Sequence, residues 1–274
     1  MRARGGAGGD RGADRAGRAP RRIATGPDFG GLAASYDALR PQDDNWWELA
    51  ARLVALGALA GTRVLEVGCG TGTLAAALAE RWSAKVWAID PSEEMLEVAR
   101  ARVPRSVGLK RGTAEALPFR DGWFDRVVAR LVLHLADRPA AFAEIRRVLG
   151  DGGRLAAATF DPAHFDGYWL NRYFPSLLEL DLRRFPDAAG LEAELTAAGL
   201  LPRPFEHLVQ RAALRRDDAL ERIRGRYIST LRLLGEDEFA AGLARAEASL
   251  PDRVEYELRW LLVAADAPRS RRDK

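Results

Sequence analysis

The sequence predicts an α/β domain on a mainly parallel sheet, and three observations support this. Short β-rich runs alternate with helical segments from Phe29 onward, which is the signature of repeated βα units. One of those runs, Val64 to Val67, passes straight into a glycine-rich turn and then a helix, an arrangement that parallel sheets use to hold ligands. At 274 residues with 47% hydrophobic content, the chain can fill one large domain with additions.

The elements follow in order. A helix is expected near Asp44 to Leu59, a strand at Thr62 to Val67, a helix at Thr71 to Arg81 and a strand at Ala84 to Ile89. Asp90-Pro91-Ser92 is a helix-starting signal, so a helix should fill Ser92 to Val103. Strands at Gly108 to Arg111, Phe124 to Arg130 and Arg154 to Phe160 complete five. Between the last two, Ala141, Phe142, Ile145, Val148 and Leu149 recur at helical spacing and should face the sheet; Asp151-Gly152-Gly153 then turns the chain. Beyond Asp161 the regularity weakens. A helix is expected at Asp187 to Ala198, a strand at Arg203 to Leu214 and a final strand at Val254 to Ala265, with two helices between these strands. In the first of the two, Leu220, Ile223, Tyr227, Leu231 and Leu234 recur every three or four residues, a stripe that must pack on something.

Charge placement narrows the function. Residues 1–22 carry seven arginines against Asp10 and Asp14, and residues 266–274 carry four basic residues against two acidic ones. The net +3 of the chain therefore leaves residues 23–265 at −4, a poor surface for neutralising a phosphate backbone. Residues 1–25 hardly contain a large apolar side chain and are expected to be a disordered Arg/Gly-rich tail, with the domain at 26–266 and a basic tail at 267–274. The single cysteine, Cys69, excludes an internal disulfide and any multi-cysteine metal site and suits a reducing cytoplasm. No apolar run approaches the length of a membrane span, and no secretory leader is evident.

The most informative stretch is Val64-Leu65-Glu66-Val67-Gly68-Cys69-Gly70-Thr71-Gly72. Glycines let a ligand approach the backbone, and the helix start offers free amide groups. The spacing is not that of the dinucleotide fingerprint, because position 73 is Thr73 rather than glycine. An acidic residue just before the loop suits a cationic ligand bearing an amino group and a sulfonium better than a pyrophosphate. Eighteen residues past Gly72, the next strand ends in Asp90, which can accept both hydroxyls of a ribose.

These residues resemble the class I S-adenosylmethionine-dependent methyltransferases, in particular the branch similar to ubiquinone/menaquinone biosynthesis enzymes. The resemblance runs from about Phe29 to Phe160. It includes Glu66 to Gly72, Asp90-Pro91-Ser92, Gly112 to Phe119, Phe124 to Val128, Leu131-Val132-Leu133-His134, and Arg147-Val148-Leu149 before Gly152-Gly153. It implies a Rossmann-like seven-stranded mixed sheet with its last strand antiparallel, helices on both faces and a small helical lid. The cofactor-binding core would lie at about 29–160 and the acceptor-side and lid elements at about 161–252. Gly68, Cys69, Gly70 and Gly72 would approach the methionine and sugar, Glu66 the amino group, and Asp90 with Pro91 and Ser92 the ribose. Thr113, Ala114 and Glu115 would meet the adenine. Thr113 stands where the family often has an aspartate, a place Glu115 could fill. Arg130 and Leu131 would touch the methionine end, and Ala33 to Asp37 resembles the family's leading segment, with Tyr36 over the cofactor and Arg40 near its carboxylate.

Methyl transfer from a sulfonium is an in-line displacement, so holding donor and nucleophile in a dry pocket supplies much of the catalysis. If a proton must be removed, His134 is the candidate base; the other reading is a histidine packed at a helix start. His164 lies in a plausible acceptor loop and His207 in a strand. The aromatic-rich segment Phe160 to Phe174 offers Tyr168, Trp169 and Tyr173 as acceptor walls, although aromatics usually mean core. Arg226, Tyr227 and Ser229 are candidates from the lid.

The expected activity is therefore methylation of a small-molecule acceptor at oxygen, nitrogen or carbon, with S-adenosylmethionine converted to S-adenosylhomocysteine and no metal, nucleic acid or membrane partner. A nucleic-acid amino-methyltransferase would show Asp/Asn-Pro-Pro-aromatic where this chain has Ala129-Arg130-Leu131-Val132. Cytosine-5 and arsenite methylation need cysteines that are absent. The alternative from another class is a non-catalytic adenosyl-ligand binder, separable by acceptor-dependent turnover.

Overall fold

The structure, a computed structural model, describes Ala33 and residues 35–269. The expected N-terminal tail at 1–25 and residues 270–274 of the basic tail lie outside the described residues.

A short helix, α1 (Tyr36–Leu39), precedes α2 (Asp44–Gly57). Asp43 caps α2 by accepting from the Trp46 amide at 2.9 Å, and the helix buries Trp46, Leu49, Ala50, Leu53 and Val54, one stripe at three- and four-residue spacing. Five strands and three helices follow: β1 (Arg63–Val67), α3 (Thr73–Arg81), β2 (Lys85–Asp90), α4 (Glu93–Arg102), β3 (Gly108–Arg111), β4 (Phe124–Arg130), α5 (Arg138–Val148) and β5 (Leu149–Phe160). β5 begins five residues earlier than expected because Leu149 already pairs with Phe124 across an irregular register. The strands order as β3-β2-β1-β4-β5, all parallel. The chain leaves β1 toward one side and returns to β4 on the other, so the crevice at the ends of β1 and β4 is the switch point where such sheets bind ligands.

The antiparallel edge is made by β6 (Leu201–Pro202), β7 (Glu206–Arg215) and β8 (Arg253–Asp266). β8 pairs antiparallel with β5, Phe160 opposite Trp260, and on its other side with both β6 and β7. The sheet thus has the expected seven positions with the last strand reversed, but its edge strand is broken into two pieces. The break falls at Arg203-Pro204-Phe205, where Pro204 has no N–H to give, and Arg203 alone bridges by donating to the Ala264 carbonyl at 2.9 Å.

Two cores form on the two faces of the sheet, one under α2, α3 and α4 and one under α5 and α7 (Ala188–Ala197). A third gathers Leu39, Tyr168, Phe174, Leu177, Ile223, Leu231 and Phe239 with Leu214 of β7 and Val254 of β8. It is built by α6 (Leu177–Arg184), by α8 (Arg216–Arg224) and α9 (Glu236–Ser249), which sit between β7 and β8, and by 3-10 turns at Trp169–Arg172 and Ser229–Arg232; a further 3-10 turn, Pro162–His164, follows β5. The stripe expected on one helix is split: α8 stops at Gly225, and Arg226 takes a left-handed φ of 45°. Leu220, Ile223, Tyr227, Leu231 and Leu234 are nevertheless all buried in this third core. Their spacing records a shared packing partner, not a continuous helix.

Gly242 on α9 seals this core. A Cβ there would lie 2.2 Å from a Phe174 ring carbon and 2.9 Å from the Tyr173 carbonyl. Gly242→Ala is therefore expected to destabilise the protein by about 1–3 kcal/mol, measured as a lowered urea midpoint; an unchanged midpoint would show that α9 does not seat on Phe174.

Candidate functional site

At the switch point the chain turns through Gly68, Gly70 and Gly72, each left-handed at φ of 69°, 54° and 77°. A Cβ on Gly68 would meet Val132 at 2.4 Å and one on Gly72 would meet Val103 at 2.8 Å, whereas nothing lies within 4 Å of one on Gly70. The loop is thus packed at both ends and open at its middle. The Gly70 amide donates to Asp90 Oδ2 at 2.8 Å and the Ser92 amide to Oδ1 at 2.9 Å. Both carboxylate oxygens expected to take ribose hydroxyls are therefore already bonded once to backbone, each keeping a second lone pair. Burial raises the Asp90 pKa above the ordinary carboxylate value against these two bonds.

A cavity of about 700 Å³ opens over this loop. Tyr36, Arg40, Glu66, Gly68, Cys69, Gly70, Asp90, Pro91, Thr113, Ala114, Glu115, Arg130 and Leu131 line it, as do His134, His164, Tyr168 and Ser229. Gly72 and Ser92 do not line it. Ser92 instead caps α4, its Oγ accepting from the Met95 amide at 3.2 Å, so its side chain serves the helix and not the cavity. The Cys69 thiol is buried and its pKa pushed up by desolvation, which leaves it inert.

Glu66 is 3% exposed. Burial foremost, opposed by Arg130 and reinforced by Asp90, raises its pKa to about 8, and its Oε2 has no hydrogen-bond partner among the described residues. Arg130 ends β4, and burial is likewise the main cause that lowers its pKa. Next to it Leu131 is left-handed at φ 57°, a conformation that costs a non-glycine residue roughly 1–2 kcal/mol and that clusters at functional sites. Glu115 accepts from the Asp137 amide at 2.9 Å, tying the Thr113–Ala116 bridge to the start of α5.

The leading segment is strapped over this end. Asp37 accepts from the Thr71 hydroxyl at 2.7 Å and pairs with Arg102. Arg40 donates twice to the Tyr227 carbonyl, at 3.0 and 2.6 Å, and once to the Tyr36 hydroxyl at 3.2 Å.

The far half of the cavity is walled by Phe160, Phe165, Phe185, Tyr168 and Ile228. His134 stacks on Phe185 at 4.1 Å. Burial, then Arg184 and Arg40, hold its pKa well below the ordinary imidazole value, so the ring is neutral. His164 stacks on Phe160 at 4.1 Å, with a pKa lowered to about 4 by burial. His207 lies elsewhere, with Nδ1 3.1 Å from Asp161 on an exposed strand.

Four expected acceptor residues do not reach the cavity. Tyr173 is buried in the third core, with Trp169 packed against it. The Tyr227 hydroxyl is 2.5 Å from that of Tyr168, so it buttresses the wall from behind. Arg226 lies over the Phe239 ring at 3.8 Å and pairs with Glu236 at 2.5 Å. Trp169, Tyr173, Arg226 and Tyr227 are thus packing residues of the lid, as aromatics in a dense segment usually are.

Asp181, which is 2% exposed, and Thr230 also line the cavity and were not foreseen. A signal existed: Leu177, Leu180, Asp181 and Arg184 fall on one face of α6 at helical spacing, and charges on an apolar helical face are rarely idle. Burial raises the Asp181 pKa to about 6 against its bond from Thr230 and the charge of Arg184. Among the described residues no cluster of metal-binding side chains occurs, and no helix is long and apolar enough to cross a membrane.

Comparison with known proteins places this geometry. The family model described as a methyltransferase domain matches residues 65–157. An uncharacterized methyltransferase of Mycobacterium tuberculosis is 40% identical over 130 residues, covering 46% of this chain and 49% of that protein. The ubiquinone/menaquinone biosynthesis C-methyltransferase of Rubrivivax gelatinosus is 32% identical over 199 residues, covering 62% of this chain and 76% of that one. The chain thus spans about half the length of relatives such as the mycobacterial protein. A crystal structure of a methyltransferase assigned to an antibiotic biosynthesis pathway of Anabaena variabilis superposes with a TM-score of 0.60 at 25% identity, over 79% of this chain and 96% of that one.

The Glu66 carboxyl gives a test that needs no ligand. Its folded pKa of about 8 lies above the ordinary value of an unfolded glutamate, so its contribution to stability is full below about pH 4.5 and is lost as pH rises through 8. Glu66→Gln, which cannot titrate, is expected to gain melting temperature relative to the parent between pH 5 and pH 8.5. A difference independent of pH would mean that Glu66 is ionised throughout.

Proposed function

The chain belongs to the class I S-adenosylmethionine-dependent methyltransferases, and we propose that it methylates a small-molecule acceptor held between the ends of its parallel strands and its lid. One observation carries the reading: a buried carboxylate with a free oxygen, Glu66, and a loop open only at Gly70 share one cavity with a separate aromatic half. An ammonium group would satisfy Glu66 and draw its proton off, since an opposite charge favours the ionised form. The open face at Gly70 leaves room for a ligand against the backbone. The residues present therefore fit the cofactor.

When bound, S-adenosylmethionine supplies a sulfonium-borne methyl group open to in-line attack. The rest is done by the chain. Glu66 holds the amino group, Arg40, Tyr36 and Arg130 surround the carboxylate end, and Asp90 uses its remaining lone pairs on the ribose while bracing the loop. Pro91, Thr113, Ala114 and Glu115 border the adenine. The Asp37 to Thr71 strap and the Arg40 to Tyr227 bonds close the cofactor end, and Phe160, Phe165, Phe185 and Tyr168 exclude water from the acceptor end, which strengthens the electrostatics inside. His134 and His164 line the acceptor half.

In this reading the cofactor half is about 29–160 and the acceptor-side and lid half about 161–252. The quinone-pathway relative supports a small-molecule acceptor, the charge of −4 over residues 23–265 speaks against nucleic acid, and the lone buried thiol of Cys69 suits the cytoplasm.

Calorimetric titration of the protein with S-adenosylmethionine, S-adenosylhomocysteine and NAD in parallel tests the proposal. The two adenosyl ligands are expected to bind and NAD not; a protein that binds neither adenosyl ligand would have lost this function. Asp90→Ala is expected to weaken S-adenosylhomocysteine by about 1–3 kcal/mol, and an unchanged affinity would remove the ribose role.

A further inference from the structure

The acceptor half carries a carboxylate that the reading above leaves unused. Asp181 of α6 is 2% exposed, yet it lines the cavity with Phe185, Ser229 and Thr230. A carboxylate set among aromatic walls is costly unless both of its oxygens are bonded. Oδ1 accepts from the Thr230 hydroxyl. Oδ2 accepts from no described group, and unlike the unpartnered His134 Nδ1 it is not sealed away from the cavity surface.

The polar groups around it are already committed. Arg184, which does not line the cavity, donates to Thr230 Oγ1 at 2.8 Å and to Ser229 Oγ at 2.9 Å. The proton of Thr230 goes to Asp181, Ser229 Oγ lies 3.3 Å from His134 Nε2, and the Tyr168 hydroxyl is 2.5 Å from that of Tyr227. What these groups leave unfilled is an acceptor, so a ligand must bring the donor. Its charge follows from the surroundings. Arg184 acts on Asp181 as a positive charge, and Arg184 and Arg40 both act so on His134. The charge of Asp181 is thus already offset, an ammonium would meet two guanidinium groups for one carboxylate, and an anion would meet the carboxylate itself.

Resting on the proposed methyltransferase reading, we propose that Asp181 is a specificity-determining residue of the acceptor site, and that its Oδ2 accepts from a neutral hydroxyl carried on an otherwise apolar acceptor. Phe160, Phe165, Phe185 and Ile228 take the apolar body. The contact is one of recognition, with no bond made or broken at Asp181.

The test titrates the full chain, loaded with S-adenosylhomocysteine, with four probes of similar size: benzyl alcohol, benzyl methyl ether, benzylammonium and benzoate. The alcohol is expected to bind at least about tenfold more tightly than each of the others. The ether accepts but cannot donate, so its ratio to the alcohol isolates the bond to Oδ2. In Asp181→Asn the Thr230 hydroxyl keeps an oxygen at Oδ1, which places the amide nitrogen at Oδ2, and alcohol and ether are expected to bind alike. That ratio does not move with a general loss of stability, and if Asp181→Asn does not fold, the ranking in the parent decides alone. An ether that matches the alcohol in the parent, or a preference for the alcohol that survives Asp181→Asn, overturns the role of Asp181. Tightest binding of benzylammonium or benzoate, or no binding of any probe, overturns the acceptor class. Failure of S-adenosylhomocysteine to load would instead overturn the methyltransferase reading, and the probes titrated into the unloaded protein keep the two failures distinguishable.

Discussion

The open end of the sheet depends on the carboxylate of Asp90. It sits at the tip of β2, largely withdrawn from water, and takes one amide from the middle of the glycine loop and one from the start of α4. These two bonds fix the turn after β1 relative to the turn after β2, and so set the floor of the cavity. A buried carboxylate is costly unless it is bonded, which is why the loop cannot relax away from it without leaving that charge stranded. The three left-handed glycines follow from the same constraint. Two are crowded by side chains beneath them, and the third is held open above the Asp90 contact.

From that floor upward the site is held by polar contacts between segments distant in sequence. Arg40 joins the leading segment to the turn after α8, Asp37 joins it to the glycine loop, and Arg184 joins α6 to the turn at Ser229. These contacts are part-buried, where a bond to a charged group contributes more than it would on the surface. The apolar core of the lid also takes in Leu214 and Val254 from the edge strands, so the lid is held to the sheet by burial as well as by these charged residues.

The parallel half of the fold was legible because its signals are local. Strand runs, the glycine turn and the cap at Ser92 each lie within a dozen residues, and from Thr62 to Arg130 the observed elements agree with expectation to within two residues. The cavity-lining residues on or just after those strands, Glu66, Asp90, Arg130 and His134, were legible with them. The acceptor side was not. Its elements are short 3-10 turns and an eight-residue helix with little periodicity, and their positions depend on packing against a core assembled from separate parts of the chain. Asp181 and Arg184 share one face of α6 with Leu177 and Leu180, but over eight residues that stripe is too short to separate a buried turn of helix from a solvent-facing one. Tyr173 and Tyr227 lie behind the cavity wall and not on it, and composition, which places aromatics near a site without saying which face they fill, leaves both readings open.

The position of β8 also bears on how the molecule is made. Phe160 waits for Trp260, so during synthesis the edge of β5 stays bare while about a hundred further residues emerge, and β7 has no neighbour until β8 is inserted beside it. Such late, non-local pairing slows folding, and a bare strand edge is a template for pairing with other chains. The nascent polypeptide therefore passes through an interval in which its glycine loop can already be formed while its sheet is open. Shortening that interval, by a chaperone or by faster elongation through the lid, would govern yield without altering the native state.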